Sequence, residues 1–260
     1  MKTKARVGII TFFVVAFGGP WLGWTLIADS DLSLLLFPAF CSAAGFAAAY
    51  AEAGHRGLKA FVTRTIRISG VGRWIVLAYL TPLLLGISYL AFNLSSIPPV
   101  EATITASFCT MLLMALWTGP LAEEFGWRGY LQPRLTTRFS PIVAALIVGV
   151  LWCAWHLPLF YSTVFSTIES SLGFLAFCVT WSVFMAYFVG KAQWSVWPAV
   201  ALHWSANTHA SILGATLPSI GGGDLPGGPN SMIWYLAGAA LFVLAMLRFF
   251  TTRTEQTVRA

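Results

Sequence analysis

Apolar runs of about 16 to 25 residues recur along the chain, separated by short segments that hold most of its charges. At 1.5 Å per helical residue, such a run crosses a hydrocarbon core roughly 30 Å thick, so the pattern predicts membrane-spanning α-helices. Eight runs fit, at 7–27, 34–51, 74–93, 104–128, 141–156, 172–189, 197–213 and 232–250. They predict an all-α fold: a polytopic transmembrane helical bundle of about eight helices, one domain over residues 1–260. No sequence repeat or long low-complexity tail suggests a second domain.

Composition agrees, with 58% hydrophobic and 9% charged residues, against roughly 25% charged in soluble domains. The net charge of +6 would suit a nucleic-acid partner, but its placement speaks for a bilayer instead. With a cytoplasmic N-terminus, all 15 Lys and Arg residues fall on inner segments, whereas the outer loops hold Asp29, Asp31, Glu101, Glu169 and Asp224. The positive-inside rule then places both termini in the cytoplasm. The first run reads as a span, because it exceeds a signal core of about 7 to 15 residues and no small-x-small site follows it clearly. Cys41, Cys109, Cys153 and Cys178 lie in apolar runs without CxxC spacing and read as small buried hydrophobes. Trp21, Trp24, Trp74, Trp194, Trp197 and Trp234 sit near run ends as interfacial anchors. The basic segment 56–73 reads either as an amphipathic surface helix or as a solvated loop, and the Gly- and Pro-rich stretch 218–230 as a connector.

A charge at the centre of a membrane helix costs at least about 2.5 to 3.5 kcal/mol, so ionisable groups there are rare and usually functional. Here they gather in the fourth, fifth and seventh runs. The fourth ends in Thr118-Gly119-Pro120-Leu121-Ala122-Glu123-Glu124-Phe125-Gly126-Trp127-Arg128. Pro120 predicts a kink or a fresh helix start. Four-residue spacing lets Glu124 pair with Arg128, and Glu123 points about 100° away around the axis, available as a base. In the fifth run Trp152 and His156 share a face; in the seventh His203, Asn207 and Ser211 do. Each set has a plain structural alternative: interfacial charges, a satisfied core histidine, interhelical glue.

Glu-Glu-x-x-x-Arg, then aromatic-x-x-x-His, then His-x-x-x-Asn, in that order on separate helices, resembles the CPBP family (CAAX protease and bacteriocin-processing, or ABI). That family includes the type II CAAX prenyl endopeptidases, and the likeness runs from about 118 to 211. It implies an intramembrane glutamic endopeptidase. By that resemblance Glu123 with His156 activates water, His203 with Asn207 donates hydrogen bonds to the oxyanion, and Glu124 with Arg128 holds the first carboxylate in place. Trp152 stands where the family usually has Phe, keeping an aromatic wall. The implied partners are the bilayer and a peptide or protein substrate, either lipidated at its C-terminus or carrying a bacteriocin leader. No cofactor, metal or nucleic acid is implied. The expected location is a bacterial inner (plasma) membrane, crossed several times. A polar cavity opening to the cytoplasmic side is expected, although His156 then lies roughly 22 Å from the inner end of its run.

Four other readings compete. His156, His203 and a Glu are plausible zinc ligands, although His-Glu-x-x-His is absent. The two histidines are also conceivable axial haem ligands, which leaves both acids unexplained. Glu123 and Glu124 suit a proton relay in a transporter, but no inverted repeats accompany them. The last is a catalytically silent protein that binds or protects other membrane proteins.

Overall fold

The computed structural model describes residues 2–27, 31–92, 112–216 and 229–251. Among them every regular element is helical. The long helices are α1 (Lys2–Ile27), α2 (Ala39–Thr65), α3 (Gly72–Phe92), α4 (Pro141–Trp155), α5 (Ile168–Lys191), α6 (Trp197–Thr216) and α7 (Pro229–Ala245). The start of the predicted fourth span and most of the predicted connector 218–230 lie outside the described residues.

By length and composition, two helices among the described residues can cross a membrane, Lys4–Ile27 and Ile168–Lys191. They occupy different environments. Helix α1 turns Ile10, Val14, Leu22 and Leu26 outward, whereas α5 is buried without a break from Thr180 to Gly190. A helix apolar on all sides belongs at a centre, and α5 accordingly packs against α3, α4, α6 and α7. Helix α1 lies along α2, and α3 along α6. Leu84 of α3, Val150 of α4, and Leu241 and Leu244 of α7 join α1 in an outward apolar surface, while Glu123, Glu124 and Arg128 are held inside. That is the inverse of a water-soluble domain.

The predicted second span is a short helix, Asp31–Leu36, followed by the longer α2. Helix α2 bends at Ala53 and Gly54; Gly54 has φ 59° and ψ −146°, a region essentially reserved for glycine. Its second arm carries the basic stretch on helix as far as Thr65, and a turn then leads into α3.

The largest departure from expectation is the segment between α3 and α4. Pro120 does not simply kink it: π-helical turns at Trp117–Leu121 and Phe125–Leu131 flank one α-turn, Ala122–Glu124. Pro120 lacks a donor, and the chain widens so that the Ala122 N–H reaches the Trp117 carbonyl. Ser42 donates to the Leu121 carbonyl at 2.9 Å, and the Cys41 thiol lies 3.5 Å from that of Glu123. Such close contact needs Gly126: a Cβ there would stand 2.2 Å from the Cys41 carbonyl oxygen.

Nor does this element end at Arg128. It continues through Gln132–Thr136, because Arg128 is buried and paired and so does not mark a membrane boundary. Ser140 then caps α4 by accepting from the Val143 N–H. The segment and α4 bring Glu123 and Trp152 to one level of the bundle, where their side chains bond.

Candidate active site

Glu123 and Glu124 share the one α-turn between the two π-helical stretches, so consecutive carboxylates leave the backbone in different directions. Glu123 Oε2 accepts a hydrogen bond from Trp152 Nε1 at 2.5 Å. Glu124 Oε1 accepts from Arg128 Nη1 at 3.0 Å and lies 2.7 Å from His203 Nδ1. Glu124 and Arg128 are both 0% exposed. The expected four-residue pair therefore forms, and it includes a histidine that the spacing did not assign to it.

Arg128 is held on three sides. Besides Glu124, its Nη2 donates to Ser182 Oγ of α5 at 2.8 Å, and its guanidinium lies over the Trp152 ring with Cζ 4.6 Å from the centroid. Trp152 is thus both a platform for the cation and a donor to the neighbouring acid. The His203 ring meets the same indole edge-on at 5.1 Å.

The ring centroid of His156 lies 6.1 Å from that of the Trp152 indole. Its Nδ1 is 2.8 Å from the Trp152 carbonyl, and its ring stacks on Phe160 and meets Trp155 and Phe174 edge-on. A carbonyl only accepts, so Nδ1 carries the proton and the neutral ring keeps a lone pair on Nε2. Among the described residues no hydrogen bond joins His156 to Glu123; each bonds Trp152, Glu123 through the indole and His156 through the backbone carbonyl.

The predicted face of α6 is marked out by Gly119. A Cβ built there would stand 2.8 Å from Asn207 Nδ2 and 2.9 Å from His203 Nε2. Both nitrogens therefore converge beside a backbone that leaves them room. Ser211, the outer member of the predicted stripe, has a side chain outside those described.

Six of the seven predicted residues are buried and Asn207 is half-buried, all in one region built from the central segment, α4 and α6. Sequence reasoning missed Ser182, Gly119 and the donor role of the Trp152 indole. Ser182 was visible as a hydroxyl inside an apolar run, and Gly119 as the residue preceding a mid-run proline.

What the fold and site define is a helical bundle with a hydrogen-bonded cluster of acidic, guanidinium and imidazole side chains inside a largely apolar exterior. Residues 105–209, which contain all seven positions, match the family described as type II CAAX prenyl endopeptidase Rce1-like. The chain is also similar to CAAX prenyl protease 2 of Methanococcus maripaludis, at 26% identity over 121 residues, 44% of each chain. The similarity to type II CAAX prenyl endopeptidases suggested by the motifs is therefore found by comparison as well. The chain covers less than half the length of that curated relative.

Proposed function

We propose that this protein is a membrane endopeptidase that hydrolyses a peptide bond of a membrane-associated, prenylated-type peptide, using water activated by Glu123. The observation that carries this reading is the convergence of His203 Nε2 and Asn207 Nδ2 on Gly119, beside a buried pair of differently bonded carboxylates. The family match and the name of the archaeal relative support the same class of reaction.

In this mechanism Trp152 pins Oε2 of Glu123, and the carboxylate takes a proton from a water whose oxygen attacks the scissile carbonyl. Nε2 of His156 accepts the other hydrogen of that water and orients it. The carbonyl oxygen becomes an oxyanion in the space beside Gly119, where Asn207 Nδ2 and His203 Nε2 donate to it. Glu123 then passes its proton to the departing amine, and the C–N bond breaks. Glu124 orients His203 through Nδ1. Because that bond uses the Nδ1 proton, donation from Nε2 requires a proton on each ring nitrogen.

The test compares purified wild type with Glu123→Gln and His203→Ala on prenylated C-terminal peptides and on leader peptides. Wild-type cleavage of the prenylated set, with loss of about 100-fold or more in each variant, is expected. Equal turnover by all three proteins would reject the assignment. Loss of wild-type cleavage on exhaustive chelation, restored by Zn²⁺, would move the reading to metal chemistry.

A further inference from the structure

The bent arm of α2 carries a feature that peptide hydrolysis does not use. Arg56, Lys59 and Thr63 follow one another at three- and four-residue spacing, so they share a helix face, and Arg67 follows just past the helix end at Thr65. With Arg64 and Gln193 they line an open groove of about 530 Å³. None of its lining residues is acidic. The nearby carboxylate, Glu52, is already bonded to Arg134 and Tyr130.

Two of the guanidinium groups are fixed by neutral acceptors. Arg67 donates to the Ala192 carbonyl at 2.8 Å and to Gln193 Oε1 at 2.6 Å, and Arg64 donates to the Gly129 carbonyl at 2.8 Å. These bonds orient the cations without neutralising them. Burial, and then the positive charge of Arg134, lower the Arg64 pKa to about 10, so it remains charged at neutral pH in a positive surrounding. Beside the groove, Ile66 and Ile68 are 45% and 63% exposed. Cations above an outward apolar rim match the boundary between lipid headgroups and acyl chains.

We propose that this groove binds the phosphodiester of an anionic phospholipid headgroup, with Arg67 and Arg64 as preset donors and Arg56 and Lys59 as mobile cations closing on the phosphate. Guanidinium forks suit phosphate oxygens in two-bond geometry, and flexible exposed cations add attraction at little structural cost. Ile66 and Ile68 would rest on the acyl chains of the same lipid.

The test uses the full chain in detergent and native mass spectrometry, with phosphatidylglycerol and phosphatidylcholine as probes. Arg56→Gln with Lys59→Gln removes two exposed cations that hold no backbone group in place. Lys4→Gln with Arg6→Gln, equally exposed cations on α1, is the control. Wild type and control should retain phosphatidylglycerol in preference to phosphatidylcholine, and the groove variant should bind it about thirty-fold more weakly. Equal retention by the groove variant, or an equal loss in the control, would overturn the site. Displacement of the lipid by equimolar inorganic phosphate would assign the groove to free phosphate and overturn the lipid source. Unchanged monodisperse elution and limited proteolysis of the groove variant would show that any loss is not one of folding.

Discussion

Glu123 and Glu124 are adjacent in sequence and alike in burial, yet their bonds set them to different tasks. Glu123 accepts from the neutral indole of Trp152, and the amide oxygen of a glutamine can accept that bond equally well. Glu123→Gln is therefore expected to abolish turnover while leaving the melting temperature within a few degrees of wild type. Glu124 is the counter-ion of Arg128, which is 0% exposed. Glu124→Gln leaves that cation buried and uncompensated, and a loss of about 3 to 5 kcal/mol of stability follows. Thermal unfolding of the two variants side by side separates these outcomes. Gly119→Ala addresses the proposed oxyanion site without altering a charge. Its methyl would stand 2.8 Å from Asn207 Nδ2 and 2.9 Å from His203 Nε2, displacing both donors. Loss of one such donor costs about 2.7 to 4 kcal/mol, so a fall in kcat of at least about 100-fold is expected, with near-normal unfolding.

At the scale of elements, the central segment holds the chemistry because its helix is irregular. Its π-helical turns need donors for their carbonyls and clearance from α2, which Ser42, Cys41 and the bare face of Gly126 provide. Gly126→Ala drives a methyl against the Cys41 backbone carbonyl, which a side-chain rotation cannot relieve. A loss of about 1 to 3 kcal/mol is expected, seen as a lower melting temperature in detergent. Much of this architecture was legible from periodicity: helical runs, their order, and the Glu124 and Arg128 pair at four-residue spacing. The motifs also picked out residues that the fold gathers into one region. The π-helical turns were not legible, because widening to i→i+5 bonding depends on what α2 offers across the interface and only Pro120 signals it locally. The extension beyond Arg128 was missed for a related reason. A charge ends a span only while it is unpaired, and one partner of Arg128, Ser182, comes from 54 residues away in the chain. Trp152 is a third case. As an aromatic wall it is equivalent to Phe, and only the position of Glu123 turns its N–H into a functional contact.

For the whole molecule, the distribution of charge and the direction of α5 make orientation testable. Helix α5 carries exposed Glu169 in its first turn and Lys191 at its last residue. Twenty-four residues rise about 36 Å, enough to cross the hydrocarbon layer. At the Lys191 end, Arg67 bonds the Ala192 carbonyl, so the basic arm of α2 lies at that same end. If cations stay on the cytoplasmic side, Glu169 faces the opposite compartment and the groove containing Lys59 faces the cytoplasm. A membrane-impermeant maleimide distinguishes the two sides. Cys41, Cys153 and Cys178 are buried, and the unsubstituted chain serves as the blank for all four native thiols. In spheroplasts Glu169→Cys should label and Lys59→Cys should not; in inverted vesicles the pattern should reverse. Labelling of both positions from the same side would break the charge argument, since it would require the basic and acidic ends of α5 to share one compartment.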